Sequence, residues 1–148
     1  MSKVHIVVGT VMGTAAEVAR AALQALEAKG HEVSLTLDYQ PGDWQENETL
    51  LVCTSNTGMG DLPANIEPLL THLTQNPPRV PGWRYGIINL GDSSYPNFAQ
   101  AGRTLDEALS DIGALRLGEP LVLDAILLTD TDYPEETHAW ITTWSDLL

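Results

Sequence analysis

Short apolar runs alternate with segments of helical period along this chain, and that alternation limits the fold more than any other feature. Val4–Val8 is an apolar run with β-branched residues that stops at Gly9, as in a strand covered on both faces. Ala15–Lys29 places Val18, Ala22, Ala25 and Leu26 on one helical face, and Gly30 stops it. Val33–Leu37 alternates as a second strand, and Leu50–Thr54 is a third. Between them Tyr39–Glu48 is polar, holds Pro41 and Gly42, and reads as a loop. Pro63 is placed to open a helix with Ile66, Leu69, Leu70 and Leu73 inward, ended by Pro77, Pro78, Pro81 and Gly82. Tyr85–Leu90 is a fourth strand. Phe98, Ala101, Leu105, Ala108, Leu109 and Ile112 then keep helical period, which assigns Phe98 to the core. Leu115–Leu117 and Leu121–Leu123 form a fifth strand broken at Gly118 and Pro120, hence bulged or at an edge. A last helix starts near Pro134, carries Glu135 and Glu136 in its first turn, and turns Trp140, Ile141, Trp144 and Leu148 inward.

Strands that alternate with helices imply right-handed crossovers and a parallel sheet with helices on both faces. The 148 residues suit one α/β domain spanning 1–148, large enough to bury a core without disulfides. Five strands leave two main doubly wound orders. In both, ligands bind beyond the carboxyl ends of the strands, where the order reverses. Attention therefore falls on the loops after the first, third and fourth strands.

Charge and composition narrow the partners. Seven basic residues face twenty acidic ones, a net charge of −13. Such a field repels phosphate backbones, which argues against nucleic acid, and it speeds encounter with basic surfaces. The lone cysteine, Cys53, lies in an apolar run and reads as a buried core residue. Met1-Ser2-Lys3 leads straight into the first strand with no signal-peptide pattern, and no apolar run approaches the ~20 residues that span a bilayer. The expectation is a cytoplasmic, membrane-free monomer.

The first loop, Gly9-Thr10-Val11-Met12-Gly13-Thr14-Ala15, joins a strand to a helix N-terminus. Backbone N–H groups there favour an anion, and Thr10 and Thr14 add hydroxyls. No Lys or Arg lies in it, so neutral donors would hold a phosphate. It lacks the Gly-Lys-Ser/Thr of a nucleoside-triphosphate loop and the glycine spacing of a dinucleotide fingerprint. The second loop, Thr54-Ser55-Asn56-Thr57-Gly58-Met59-Gly60-Asp61-Leu62-Pro63, has small side chains and glycines that allow close approach. The third, Leu90-Gly91-Asp92-Ser93-Ser94-Tyr95-Pro96-Asn97-Phe98, offers Tyr95 as a stacking platform for a flat ring. Each loop alone is an ordinary turn. Together they describe a slot for a phosphorylated planar ring.

On these three loops the chain resembles the flavodoxin family over its whole length, in the short-chain type, and is similar to the FMN domains of diflavin reductases. The resemblance implies a three-layer sandwich with a five-stranded parallel sheet of order 2-1-3-4-5, and FMN as cofactor. It implies that Thr10, Val11, Met12, Gly13, Thr14 and Ala15 hold the FMN phosphate. Ser55, Asn56, Thr57 and Gly58 would line one face and the N5 edge of the ring. Leu90, Gly91, Asp92, Tyr95, Asn97 and Phe98 would line the other, with Tyr95 stacked. Asp124 falls where the family often has an acid near the flavin. Gly58 matches the glycine whose peptide flips to accept a hydrogen bond from reduced N5–H, a change that is cheap for glycine. Two positions depart from the pattern: Met12 stands where many members have a phosphate-binding Thr, and Thr57 where many have an aromatic. Both weigh against tight FMN binding.

The implied function is single-electron transfer between a basic-surfaced flavin reductase and an acceptor redox enzyme, with the flavin carrying the chemistry and no catalytic side chain. Asp61, Asp92 and Asp124, if near the ring, would lower the second reduction potential by charge repulsion. The runner-up is a partner-docking or regulatory module with weak or lost FMN binding. A phosphoacceptor receiver fails because its acidic and lysine positions hold Gly9-Thr10, Ser55 and Asp124 here. A flavin enzyme with its own substrate is disfavoured by short loops, and His5, His31, His72 and His138 are too scattered for a metal site.

Overall fold

The computed structural model describes residues 2–56, 60–129 and 131–148. The elements run β1 (Lys3–Gly9), α1 (Thr14–Ala28), β2 (Glu32–Thr36), β3 (Glu48–Thr54), α2 (Glu67–Gln75), β4 (Arg84–Gly91), α3 (Gln100–Asp111), β5 (Leu115–Arg116), β6 (Leu121–Asp124) and α4 (Asp132–Trp144). The sheet is parallel throughout, in the order β2-β1-β3-β4-β5, with β6 also on β4. β5 pairs with Arg84 and Tyr85, and β6 pairs with Ile88 to Gly91. One edge position is thus filled by two short segments, and the break falls at Gly118 to Pro120 as the sequence implies. Gly118 takes φ +69°, a left-handed conformation open to glycine.

The continuous apolar runs follow from burial on both faces. Val4, Ile6, Val8, Leu51, Cys53, Ile88 and Leu90 pack with α1 and α4, where Ala19, Ala22, Leu26, Ile141 and Trp144 close the layer. Their alternates, Val7, Leu50, Val52, Tyr85 and Ile87, pack with Ile66 just before α2, with Leu69 and Leu73 of α2, and with Leu105 and Leu109 of α3. Ala residues along α1 let it lie close to the strands, and Gly30, at φ +88°, ends it. Cys53 is fully buried; its thiol donates to the Ala15 carbonyl (3.4 Å), and burial pushes its pKa up.

Three expectations are corrected. Pro63 opens not an α-helix but a 3-10 turn, Ala64–Ile66; α2 begins at Glu67, with Pro68 in its first turn and Leu70 only half-buried. Phe98 is not a core residue. α3 starts two residues later at Gln100, and Phe98 lies half-buried over Gly91. The polar segment after β2 is a loop, but two of its aromatics are core. Tyr39 is 1% exposed and Trp44 5%. Trp44 donates from Nε1 to the Glu48 carbonyl (3.1 Å) and meets Trp83 edge-on at 5.2 Å.

Candidate functional site

The carboxyl ends of β1, β3 and β4 bring their loops around one cleft of about 220 Å³, open to solvent. Thr10, Val11, Met12 and Thr14 line it from the first loop; Ser55 and Asn56 from the second; Leu90, Gly91, Asp92 and Tyr95 from the third. Two larger concavities flank α2 and share none of these residues.

The first loop is shaped from within. Gly13 stands at the N-cap of α1 with φ +93°, and no neighbour would meet a Cβ there, so conformation and not space calls for glycine. Its N–H donates to Thr10 Oγ1 (2.8 Å). The first intrahelical bond runs from Glu17 N–H to the Gly13 carbonyl (3.1 Å). The N–H groups of Thr14, Ala15 and Ala16 lie ahead of it, at the positive end of the helix dipole. Val11 and Met12 are highly exposed, 61% and 90%.

The second loop starts with Ser55, whose N–H donates to the Gly9 carbonyl (2.9 Å). Asn56 ties it to the third. Its Nδ2 donates to the Asn97 carbonyl (2.9 Å), and its Oδ1 accepts from Ala101 N–H (2.8 Å) in the first turn of α3. Gly60 has φ +87°, and a Cβ there would lie 2.5 Å from Asn97 Cβ. Thr57 and Gly58 lie outside the described residues.

The third loop turns at Asp92, whose carbonyl accepts from Tyr95 N–H (3.1 Å) and whose Oδ1 accepts from Ser94 N–H (2.9 Å). Tyr95 is half exposed, as a stacking surface requires. Asp124 does not line the cleft; it braces the loop from outside. Its Oδ1 accepts from the N–H groups of Ser93 (3.0 Å) and Ile126 (3.1 Å). Hydrogen bonds from the Ser93 hydroxyl first, then these backbone groups, hold its carboxyl below the usual carboxylate range. Ala99 is the one non-glycine at positive φ (+59°) among the described residues, and Asn89 Nδ2 holds its carbonyl at 2.6 Å.

Of the residues singled out in the sequence, Gly13, Ala15, Asn97, Phe98 and Asp124 stand behind the cleft's lining. Asp61 lines a separate concavity beside α2. Two lining residues escape the sequence reading, Ala125 just beyond β6 and Tyr133 in the first turn of α4. A tyrosine at a helix start right after the fifth strand was the available signal. None of the described lining residues is Lys or Arg, and Asp92 contributes a carboxylate. The cleft offers hydroxyls and a helix N-terminus at one end and an aromatic and apolar wall at the other.

A protein-family model described as Flavodoxin matches residues 6–140. The chain is 42% identical to flavodoxin YqcA of Pectobacterium carotovorum over 100% of its own length and 98% of that protein. It is 34% identical to the sulfite reductase [NADPH] flavoprotein alpha-component of Vibrio cholerae, covering 93% of this chain and 22% of that one. Among solved structures, a flavodoxin variant from Pseudomonas aeruginosa superposes with a TM-score of 0.83 at 35% identity, covering 97% of this chain and 99% of that one.

Proposed function

Since this chain belongs to the flavodoxin family, we propose that it carries electrons one at a time on FMN held in the cleft at the carboxyl ends of β1, β3 and β4. The observation that carries the reading is the pairing of a cation-free anion seat at the start of α1 with the exposed Tyr95 across one cleft. The residues fit the cofactor's chemistry: Thr10, Thr14 and the first-turn N–H groups of α1 suit the phosphate, and Leu90, Tyr95 and Ala125 suit the flat ring. FMN, when bound, supplies the one-electron chemistry.

The protein's own residues bind, orient and tune. The α1 dipole favours a dianionic phosphate by about 0.3–1 kcal/mol where exposed, and more where water is excluded. Asp92 sets a carboxylate at the cleft and opposes further negative charge there. No proton-transfer residue is required, so the chain acts as a carrier and not as a catalyst with its own substrate. Its partners are a basic-surfaced flavin reductase and an acceptor redox enzyme, supported by the acidic charge. Relatives named flavodoxin match over the full length, which disfavours a docking module that has lost FMN.

Titration of cofactor-free protein with FMN tests the reading. At 100 times Kd, binding contributes about 2.7 kcal/mol and raises the melting temperature by about 5–10 °C. Neither binding nor a shift at saturating FMN would overturn it. Reduced nicotinamide should oxidise only when a flavin reductase is added; turnover by the protein alone would favour an enzyme.

A further inference from the structure

Asn65 lies in the 3-10 turn that closes the second loop, outside the cleft's lining, yet its side chain joins three separate parts of the chain. Its Oδ1 accepts from Thr10 N–H (2.9 Å). Its Nδ2 donates to the Val8 carbonyl (2.7 Å) and to the Leu37 carbonyl (2.9 Å). A primary amide has two donor hydrogens and one acceptor oxygen in a fixed plane, and here both ends are engaged. Val8 is near the end of β1, Leu37 just past β2, and Thr10 is the first residue of the loop into α1. Thr10 in turn holds Gly13 through its hydroxyl.

We propose that Asn65 is the positioning residue of the phosphate end of the cleft. It presets the turn from Thr10 to Gly13, so that the loop meets a phosphate monoester without first being ordered. The inference rests on the cleft being the FMN site. Its force comes from the missing cation: where neutral donors alone meet the anion, alignment carries the affinity. Asn65 does not line the cleft and reaches it only through Thr10, so its effect must be confined to the phosphate end.

Riboflavin, the same ring system without the phosphate, separates this role from a general structural one. In Asn65→Ala, FMN binding should weaken by about tenfold or more while riboflavin binding stays within about twofold, so the preference for FMN collapses. Equal weakening of both ligands would show a structural bolt only and overturn the proposal; so would an unchanged preference in folded variant. Asn65→Ser, which loses less volume but cannot span the three partners, decides on the same readout if the alanine variant does not fold. Amide exchange in the unsubstituted, cofactor-free protein provides a test free of mutation. Thr10 N–H should exchange about tenfold or more slowly than Val11 and Met12 N–H, and equal rates would overturn the preset turn. If the unsubstituted protein shows no preference for FMN over riboflavin, the cofactor reading itself fails and takes this inference with it.

Discussion

Tyr95 stands on a turn held by Asp92, with half its surface in water. Its replacement therefore removes contact area without opening the core. Aromatic stacking contributes about 1–3 kcal/mol in comparable base–aromatic contacts. Tyr95→Leu should weaken FMN binding by about tenfold, read by fluorescence titration, and leave the cofactor-free melting temperature nearly unchanged. A second residue reports through pH. The Tyr39 hydroxyl lies 2.8 Å from His72 Nδ1, and burial holds the His72 pKa below its ordinary value. Burial, with Asp43 adding to it, pushes Tyr39 up to about 12. A histidine lowered in the fold contributes stability that is present above its unfolded pKa, about 6.5, and lost as pH falls through the folded value. The melting temperature should decline between pH 7 and pH 5. His72→Asn, which keeps a polar partner for Tyr39, should flatten part of that decline. His31, lowered by burial, then by the N-terminus and Lys29, adds to the decline in the same direction.

Among the elements, α3 shows how helix packing sets a loop. A Cβ at Gly102 would come within 2.3 Å of the Asn89 amide, the group that holds Ala99 in its left-handed conformation. The helix can lie this close to β4 only because position 102 has no side chain. Gly102→Ala should destabilise the fold by about 1–3 kcal/mol, measured by urea unfolding. It should also weaken FMN binding, because Asn89 can no longer hold the residue that follows the third loop. Had the glycine served only helix flexibility, alanine would stabilise α3 instead.

For the molecule as a whole, charge governs encounter. With −13 spread over 148 residues, association with a basic reductase should be fast at low salt and slow as ionic strength rises. Raising salt from about 0.01 to 0.15 M shortens the screening length from about 30 to 8 Å. Stopped-flow reduction by such a partner should slow over that range by about tenfold or more. A flat salt dependence would overturn recognition by the field. Among the described residues no helix is long and apolar enough to cross a membrane.

The sheet, its helices and the place of the cleft were legible in the sequence, because two-faced burial demands continuous apolar strands and parallel pairing demands crossover helices. The split edge strand was legible at Gly118 and Pro120 for the same local reason. What local pattern does not encode is which distant polar groups meet. Asn65 bonding Thr10, Asn56 bonding Ala101 and Asp124 bonding Ser93 join residues 31 to 55 positions apart. Tyr133 reaches the cleft only because α4 packs beside α1, and Tyr39 and Trp44 reach the core only because their loop folds back over α2 and Trp83. Periodicity reports which face of an element is buried; the partners of a side chain depend on how the elements are laid together, and tertiary packing alone decides that.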